Sequence, residues 1–507
     1  MMNIGLNVHL KDERFRYHIH EIVSAFYDAE TVVYTCDDVA EENDQLFVNI
    51  SEIEEDFKIN IELYCGEKRV NREFTVSQTV KFADDTDAPA LNRARRFLKA
   101  ELYELFSQTL ERKIPWGSMT GIRPAKVVNK LMKLGLSEED ILTELKSRYS
   151  VSDSKAKLAL EVAATQAEIL KNTAPNAISL YIGIPFCPSR CLYCSFTSNP
   201  IGKYKKYVCE YLDALTFEMN ETAKLLEEAD FTVESIYIGG GTPTSLEAPD
   251  LDRLLEAVNL IWTPEKYNIK EFCVEAGRPD SINTDKLKVM KARGVTRISI
   301  NPQTLSDKTL EIIGRKHSRE EFFKSFNMAR EEGFDNINVD IIAGLPGEDC
   351  SMFEKTVDGI LKLSPENITV HTMSIKRASE LKMYKGEYLL TESQSVEKMI
   401  SYAYGNITLN GLNPFYMYRQ KNMLGNLENV SYSKLGFESS YNIHIMEEDQ
   451  TILAFGAGAV SKFVCGEVIE RAFNVKSVED YLKRKEEMID RKRIFVYNYL
   501  VKYRVRK

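Results

Sequence analysis

Between residues 176 and 390, short runs of consecutive apolar residues alternate with stretches in which apolar residues recur at every third or fourth position. SLYIGI, SIYIGG, EFCVEA, RISIN, NINVDIIAG and NITVHTM have the length and β-branched content of strands buried on both faces. YKKYVCEYLDALTFEMNETAKLLEEA and DKLKVMKARG, lying between them, have helical spacing. Six such strand–helix units in series predict a parallel sheet, curved or closed, with functional residues at the C-terminal strand ends and in the loops that follow.

The pattern differs on either side. Residues 1–110 read as α+β: TVVYTC, LFVNIS, INIELYC and EFTVSQTVKF are strand-like, and from Ala90 a long amphipathic helix runs until PWG ends it. Residues 111–175 read as a helical connector, with helices near 125–134, 138–149 and 153–173; Ser137 and Ser152 are placed to cap the last two. KNTAPNAI punctuates the passage into the alternating region. Residues 391–507 form a C-terminal α+β extension: a helix (TESQSVEKMISYAYGNITL), a Tyr- and Asn-rich stretch, a hairpin over YNIHIMEEDQTILAFG and a charged terminal helix. The expected fold class is therefore α/β, a partial parallel (β/α)6 core flanked by an N-terminal α+β region, a connector and a C-terminal extension.

Charge narrows the partners. A formal net charge of -10 argues against general binding to nucleic acid or anionic membrane, which require a basic face. The N-terminus lacks the basic-then-apolar layout of a signal peptide, and no run of about eighteen uncharged apolar residues occurs, so a cytoplasmic protein is expected. Nine cysteines in 507 residues are too sparse for a disulfide scaffold and fit a reducing compartment. Cys36, Cys65, Cys209, Cys273, Cys350 and Cys465 are scattered singly and are expected to be small buried hydrophobes.

The other three fall together in YIGIPFCPSRCLYCSF: Cys187, Cys191 and Cys194, directly after a strand. Three thiolates in a tight loop can hold three irons of a four-iron, four-sulfur cluster and leave the fourth iron for a group that is not protein. Structural zinc and inert thiols are the alternatives, but zinc requires a closed set of four ligands, and Cys209 is the nearest further candidate, inside a helical stretch.

CxxxCxxC after the first strand of a βα series resembles the radical S-adenosylmethionine (SAM) superfamily. The resemblance implies a radical SAM barrel and a [4Fe-4S] cluster on Cys187, Cys191 and Cys194. At that cluster SAM is reductively cleaved to a 5'-deoxyadenosyl radical inside a water-poor interior. Further stretches resemble the coproporphyrinogen dehydrogenase branch, which binds two SAM molecules. Tyr181, in the YxxIPFC form, and Glu275, in FCVEAGRP, resemble residues at the reacting SAM. Gly240, in GGGTPT, resembles a contact to that SAM's methionyl end. Tyr193, Gly241, Thr242, Gln303, Arg315 and Asp340 resemble contacts to the second SAM, while Ser374 and Val460 match positions that line the two pockets. His317 and His371 read as structural, since nothing beside them in sequence supplies a base–orienter pair.

Over nearly the whole length the chain is similar to the HemZ-type oxygen-independent coproporphyrinogen III oxidases, through PWGSMTGIRP, YRQKN, FESSYNIHIMEE and FGAGAVSK. That likeness implies oxidative decarboxylation of two propionates to vinyls, giving protoporphyrinogen IX. It also implies a tetrapyrrole substrate, whether porphyrinogen or haem, and a low-potential electron donor such as flavodoxin or ferredoxin. Arg377 with Lys376, Arg419 with Lys421, and Arg123 are the candidate cations for the substrate carboxylates. Two positions depart from the dehydrogenase pattern: Gly183 replaces a His and Phe196 a fourth Cys. CxxxCxxCxF is instead similar to the family's haem chaperones and haem-opening methyltransferases, which stand as the alternatives.

Overall fold

A computed structural model describes the chain outside residues 1–4, 36–42, 55, 78–82, 84–88, 122, 197, 228–230, 264–265, 377–378, 384–387, 389–390, 421–422, 467 and 505–507. It divides into two compact units, 1–164 and 165–507.

In the first unit the described residues form a five-stranded sheet ordered β2-β1-β3-β4-β5, from β1 (Leu6–Leu10), β2 (Val32–Thr35), β3 (Asp44–Ile53), β4 (Asp56–Cys65) and β5 (Lys68–Val76). β1 and the helix Arg16–Phe26 have no counterpart in the sequence reading, because the strand is only five residues long and the helix carries two histidines that blur its apolar face. That helix and Ala90–Thr109 share one core with Leu46, Val48, Ile59, Ile61 and Leu63, the inward positions of β3 and β4. Helices Pro124–Lys133, Glu138–Tyr149 and Asp153–Lys171 lie where their spacing predicts. Ser137 Oγ accepts the Asp140 amide at 3.2 Å, and the Ser152 carbonyl accepts the Ala156 amide at 2.9 Å.

The second unit is built on the predicted α/β core. Its first strand, β6 (Ala177–Ile184), leads into β7 (Phe186–Cys187), a two-residue strand paired with β8 (Asn199–Pro200). Then come β9 (Thr232–Gly240), β10 (Glu271–Val274), β11 (Arg297–Ser299), β12 (Ile337–Ala343) and β13 (Asn367–Thr372). β6 and β9 to β13 lie side by side in sequence order, all parallel. Helices such as Val208–Glu227, Ala248–Ile261 and Arg319–Glu331 connect them. Strand burial is nearly continuous, as a sheet covered on both faces requires.

Residues beyond 391 extend this sheet at both ends. β14 (Asn413–Tyr418) and β15 (Asn429–Ser433) add antiparallel beside β13, while β16 (Thr451–Phe455) lies parallel to β6 and carries β17 (Val460–Cys465) and β18 (Val468–Phe473) outward. Among the described residues the sheet thus has eleven strands.

The hairpin expected over YNIHIMEEDQTILAFG is a helix, Ser440–Glu447, followed by β16. Glu271 decides the difference: its carboxylate accepts from Ser439 Oγ at 2.7 Å and from the Tyr441 amide at 3.2 Å, placing a buried acid on the helix N-terminus. Glu448, left-handed at φ 55°, ends it. No local pattern carries that signal. Of the scattered cysteines only Cys273 is fully buried among those described; Cys65, Cys350 and Cys465 are half-buried and Cys209, on the exposed side of its helix, is exposed, while Cys36 lies outside the described residues.

The terminal helix Lys485–Arg504 is anchored by one buried charge. Glu218 and Lys492 are fully buried and paired at 2.5 Å; Glu218 also accepts from Tyr481 OH at 2.6 Å, Asn474 Nδ2 at 2.8 Å and the Gly456 amide at 2.9 Å. Lys492→Met leaves that carboxylate without its cation and is expected to cost roughly 3–5 kcal/mol in urea unfolding, and Glu218→Gln with Lys492→Met, which removes the charge but keeps an acceptor for the other donors, to cost clearly less. Equal losses in the two would refute the charge argument.

Candidate active site

The C-terminal strand ends and the loops after them enclose one cavity of about 540 Å3. Cys187 opens the cysteine loop from β7, and the β7–β8 pairing pins the ends of that loop, helped by the Asn199 amide bonding to Pro185 O at 2.8 Å. Inside the loop the Leu192 amide bonds to Ile313 O and the Cys194 amide to Cys191 O, each at 3.0 Å. All three thiols line the cavity. Burial pushes the Cys187 thiol up to about 11 and raises that of Cys194, the neighbouring thiols adding to both. Among the described residues, no three His, Cys, Asp or Glu side chains are set to hold a single metal ion. A four-iron cluster takes one thiolate per iron.

The Gly-rich turn packs directly on this loop. The Gly241 amide bonds to Ile184 O at 2.8 Å and the Thr242 amide to Phe186 O at 2.7 Å. A Cβ on Gly241 would stand 2.4 Å from Phe186 O and 3.0 Å from Cys187 Sγ, so only glycine fits. Gly240 has φ 109°.

Glu275 leaves the end of β10 and takes a very short hydrogen bond from Tyr237 OH. Burial pushes its carboxyl up to about 7, with the Tyr237 bond opposing and the Asp340 charge adding. Tyr237 stacks on Tyr441 at 4.4 Å between ring centroids, and Tyr181 lies 6.3 Å from Tyr237. The sequence reading missed Tyr237 and Tyr441. Tyr237 could have been found, since it precedes Gly239 by two on the same strand face; Tyr441 depends on the misread helix.

After the neighbouring strand β11, Gln303 adopts the left-handed backbone, φ 70°, held by its amide to Asp340 O (3.1 Å) and by the Ile342 amide to its carbonyl (2.9 Å). Its side-chain oxygen is buried and has no partner among the described residues. Arg315 donates to Gly277 O at 2.7 Å, Asn301 O at 2.6 Å and Tyr193 OH at 3.1 Å, while its buried Nε is unpartnered. Orphaned buried polar atoms of this kind are uncommon unless a ligand satisfies them. Asp340 accepts from Asn338 Nδ2 at 2.7 Å and faces His371 Nε2 at 3.5 Å. Burial alone would raise its carboxyl; His371, Asn338 and Thr369 hold it below the usual range. His371 therefore has the acidic partner that the sequence did not reveal, and its Nδ1 lies 3.4 Å from Tyr418 OH. His317, read as a structural histidine, is lowered to about 3 by burial and by Arg315, yet both of its buried ring nitrogens lack a hydrogen-bond partner among the described residues.

Ser374 lines the cavity. Val460 does not: it begins β17, 37% exposed, because Gly456 to Ala459 turn outward where Glu218 binds the Gly456 amide. Of the candidate cations, Lys376 lines the cavity, its Nζ 5.4 Å from the ring centroid of Phe196, which is 64% exposed. Arg419 is spent on Asn426, at 2.9 and 2.7 Å. Arg123 belongs to the first unit, and Arg377 and Lys421 lie outside the described residues.

Residues 181–360 match the model of the radical SAM superfamily. Over 500 residues the chain is 37% identical to the oxygen-independent coproporphyrinogen-III oxidase-like protein HemZ of Bacillus subtilis, covering 95% of this chain and 96% of that protein. The chain belongs to the HemZ-like branch of the radical SAM superfamily. It is also 34% identical over 306 residues to the heme chaperone HemW of Bacillus subtilis, 60% of this chain and 75% of that one. Among solved structures, the coproporphyrinogen III oxidase of Escherichia coli aligns at 23% identity with a TM-score of 0.47, covering 64% of this chain and 73% of that one. Membership of the superfamily implies a [4Fe-4S] cluster and SAM, and the donor set of this radical SAM protein fits both: three thiols on one wall, with glycine backbone and unpartnered polar atoms around them. No described helix is long and apolar enough to cross a membrane.

Glu275 offers a test that needs no cofactor. Its folded value lies above the ordinary 4.5, so its proton contributes stability that is present at acid pH and lost as pH rises through about 7. Glu275→Gln removes that loss. Relative to the parent, the variant should gain on the order of 3 kcal/mol in urea unfolding between about pH 5 and pH 8; a difference that does not change with pH would contradict the raised carboxyl.

Proposed function

We propose that this radical SAM protein oxidatively decarboxylates two propionates of coproporphyrinogen III to vinyls, giving protoporphyrinogen IX. The observation that carries the reading is that Tyr193, Gln303, Arg315 and Asp340 share one cavity with the three cysteines. When bound, the cluster and SAM would supply the 5'-deoxyadenosyl radical that takes a hydrogen atom from a propionate β-carbon, after which the substrate gives up carbon dioxide and passes one electron to an external one-electron acceptor. Cys187, Cys191 and Cys194 would hold the cluster; Tyr181, Gly240 and Glu275 would seat the reacting SAM. Tyr193, Gly241, Thr242, Gln303, Arg315, Asp340 and Ser374 would seat a second SAM. Arg315, fixed by two carbonyls, suits a carboxylate, and the Gln303 amide suits a polar ligand group. The tyrosine stack keeps that wall apolar while offering single hydroxyls. Lys376 is the cavity's candidate for a substrate carboxylate, and the reducing electron would come from a flavodoxin or ferredoxin.

A haem-chaperone role is the second reading, supported by the identity to HemW and by the two departures from the dehydrogenase pattern. Gly183 is set under β16, where a Cβ would meet Phe455 O at 3.2 Å, so a histidine there requires the strand to shift. Phe196 leaves the fourth thiol absent and places an aromatic at the cavity mouth.

Anaerobically reconstituted protein given dithionite, SAM and coproporphyrinogen III should release two 5'-deoxyadenosines per protoporphyrinogen. Haem held one to one with no such product would favour the chaperone, and a linear tetrapyrrole made from haem would favour ring-opening methyl transfer. Arg315→Lys keeps the charge but not the fork; product formation should fall by about tenfold or more at unchanged iron content, as assayed by product chromatography. Parent-like turnover would remove Arg315 from the site.

A further inference from the structure

Arg278 has no role in the account above. It follows β10 on the cavity wall with 4% of its side chain exposed, where a guanidinium is costly unless paired. Asp280 pairs it in a bidentate clamp, accepting from Nε and Nη2 at 2.8 Å each. Ser189, in the cysteine loop, accepts from Nη1 and Nη2 through Oγ at 3.2 Å and from Nη1 through its carbonyl at 3.4 Å. Nη1 also lies 3.6 Å from Cys191 Sγ. The clamp therefore holds the positive end of an ion pair against one thiol of the cysteine loop, with the negative end behind it.

We propose that Arg278, by donating to the Cys191 sulfur, raises the reduction potential of the cluster, and that Asp280 moderates it. The inference rests on the cluster assignment of the preceding section. One electron enters the cluster from an external low-potential reductant; no bond is made or broken at Arg278 and no proton moves. The reduced cluster carries one more negative charge, which a hydrogen bond to a ligand sulfur and a fixed cation stabilise, while the Asp280 carboxylate opposes them from a greater distance. Arg278 is thus a positioning residue that acts through Cys191 and sets how readily a donor fills the cluster.

Iron and sulfide are counted first in the parent: a chain that assembles no cluster refutes the cluster assignment, not this inference. With cluster present, a dithionite titration with redox mediators, followed by electron paramagnetic resonance, reads the potential. Arg278→Gln is expected to shift it to more negative values, Asp280→Asn to more positive ones, and Arg278→Lys to an intermediate one. Because a loosened loop would move the first two variants in the same direction, a shared direction overturns the proposal, as do unmoved potentials. Should Arg278→Gln fail to retain the cluster, Asp280→Asn and Arg278→Lys decide: a shift of opposite sign in the two supports the role, and no shift refutes it.

Discussion

The parallel register of consecutive strands is the constraint on which the rest depends. β6, β9, β10, β11, β12 and β13 run in the same direction in chain order, so their C-terminal ends, each followed by a loop, fall on one side of the sheet. Residues as far apart in sequence as Cys187, Gly241, Glu275, Gln303, Asp340 and Ser374 then face one cavity. The chain needs only short loops of suitable backbone, and Gly240 and Gln303 with positive φ are where that backbone becomes demanding.

Within the cavity, environment separates groups of the same chemical type. Glu275 and Asp340 are both half-buried carboxyls on the cavity wall, yet one is pushed up towards neutrality and the other held below the usual range. Glu275 has a single phenol as partner, whereas Asp340 is met by His371 and an amide. The two arginines are likewise treated differently: Arg278 faces a carboxylate, while Arg315 is held by neutral carbonyls and a phenol. One cavity thus sets an acid poised near neutrality, a carboxylate held in its charged form and a cation among neutral acceptors side by side.

Buried carboxylates also attach roughly the last seventy residues of the chain to the core. Glu271 caps the helix Ser440–Glu447, Glu234 accepts from Gln450 Nε2 at 2.8 Å beside β16, and Glu218 receives Lys492 of the terminal helix. Each acid sits on a core strand or helix and each partner arrives from beyond residue 438. Through these contacts Tyr441 reaches the stack with Tyr237, and β16 comes to lie against β6 over Gly183.

The sequence by itself determined the strand–helix alternation, the cysteine triplet and the glycine turn, and all but Val460 of the candidate cluster and SAM residues it singled out line the cavity, because apolar periodicity and motif spacing are local properties of the chain. It did not determine the helix at 440, the outward turn of Val460, the acidic partner of His371 or the clamp on Arg278. Each of those depends on a group brought from a distant segment: Glu271 reaching 168 positions along the chain to Ser439, Glu218 holding Gly456, Asp340 facing His371 across two neighbouring strands, and the cysteine loop meeting the end of β10. Only the tertiary fold decides which buried polar groups meet, since the cost of burying them unpaired is felt once the water is gone.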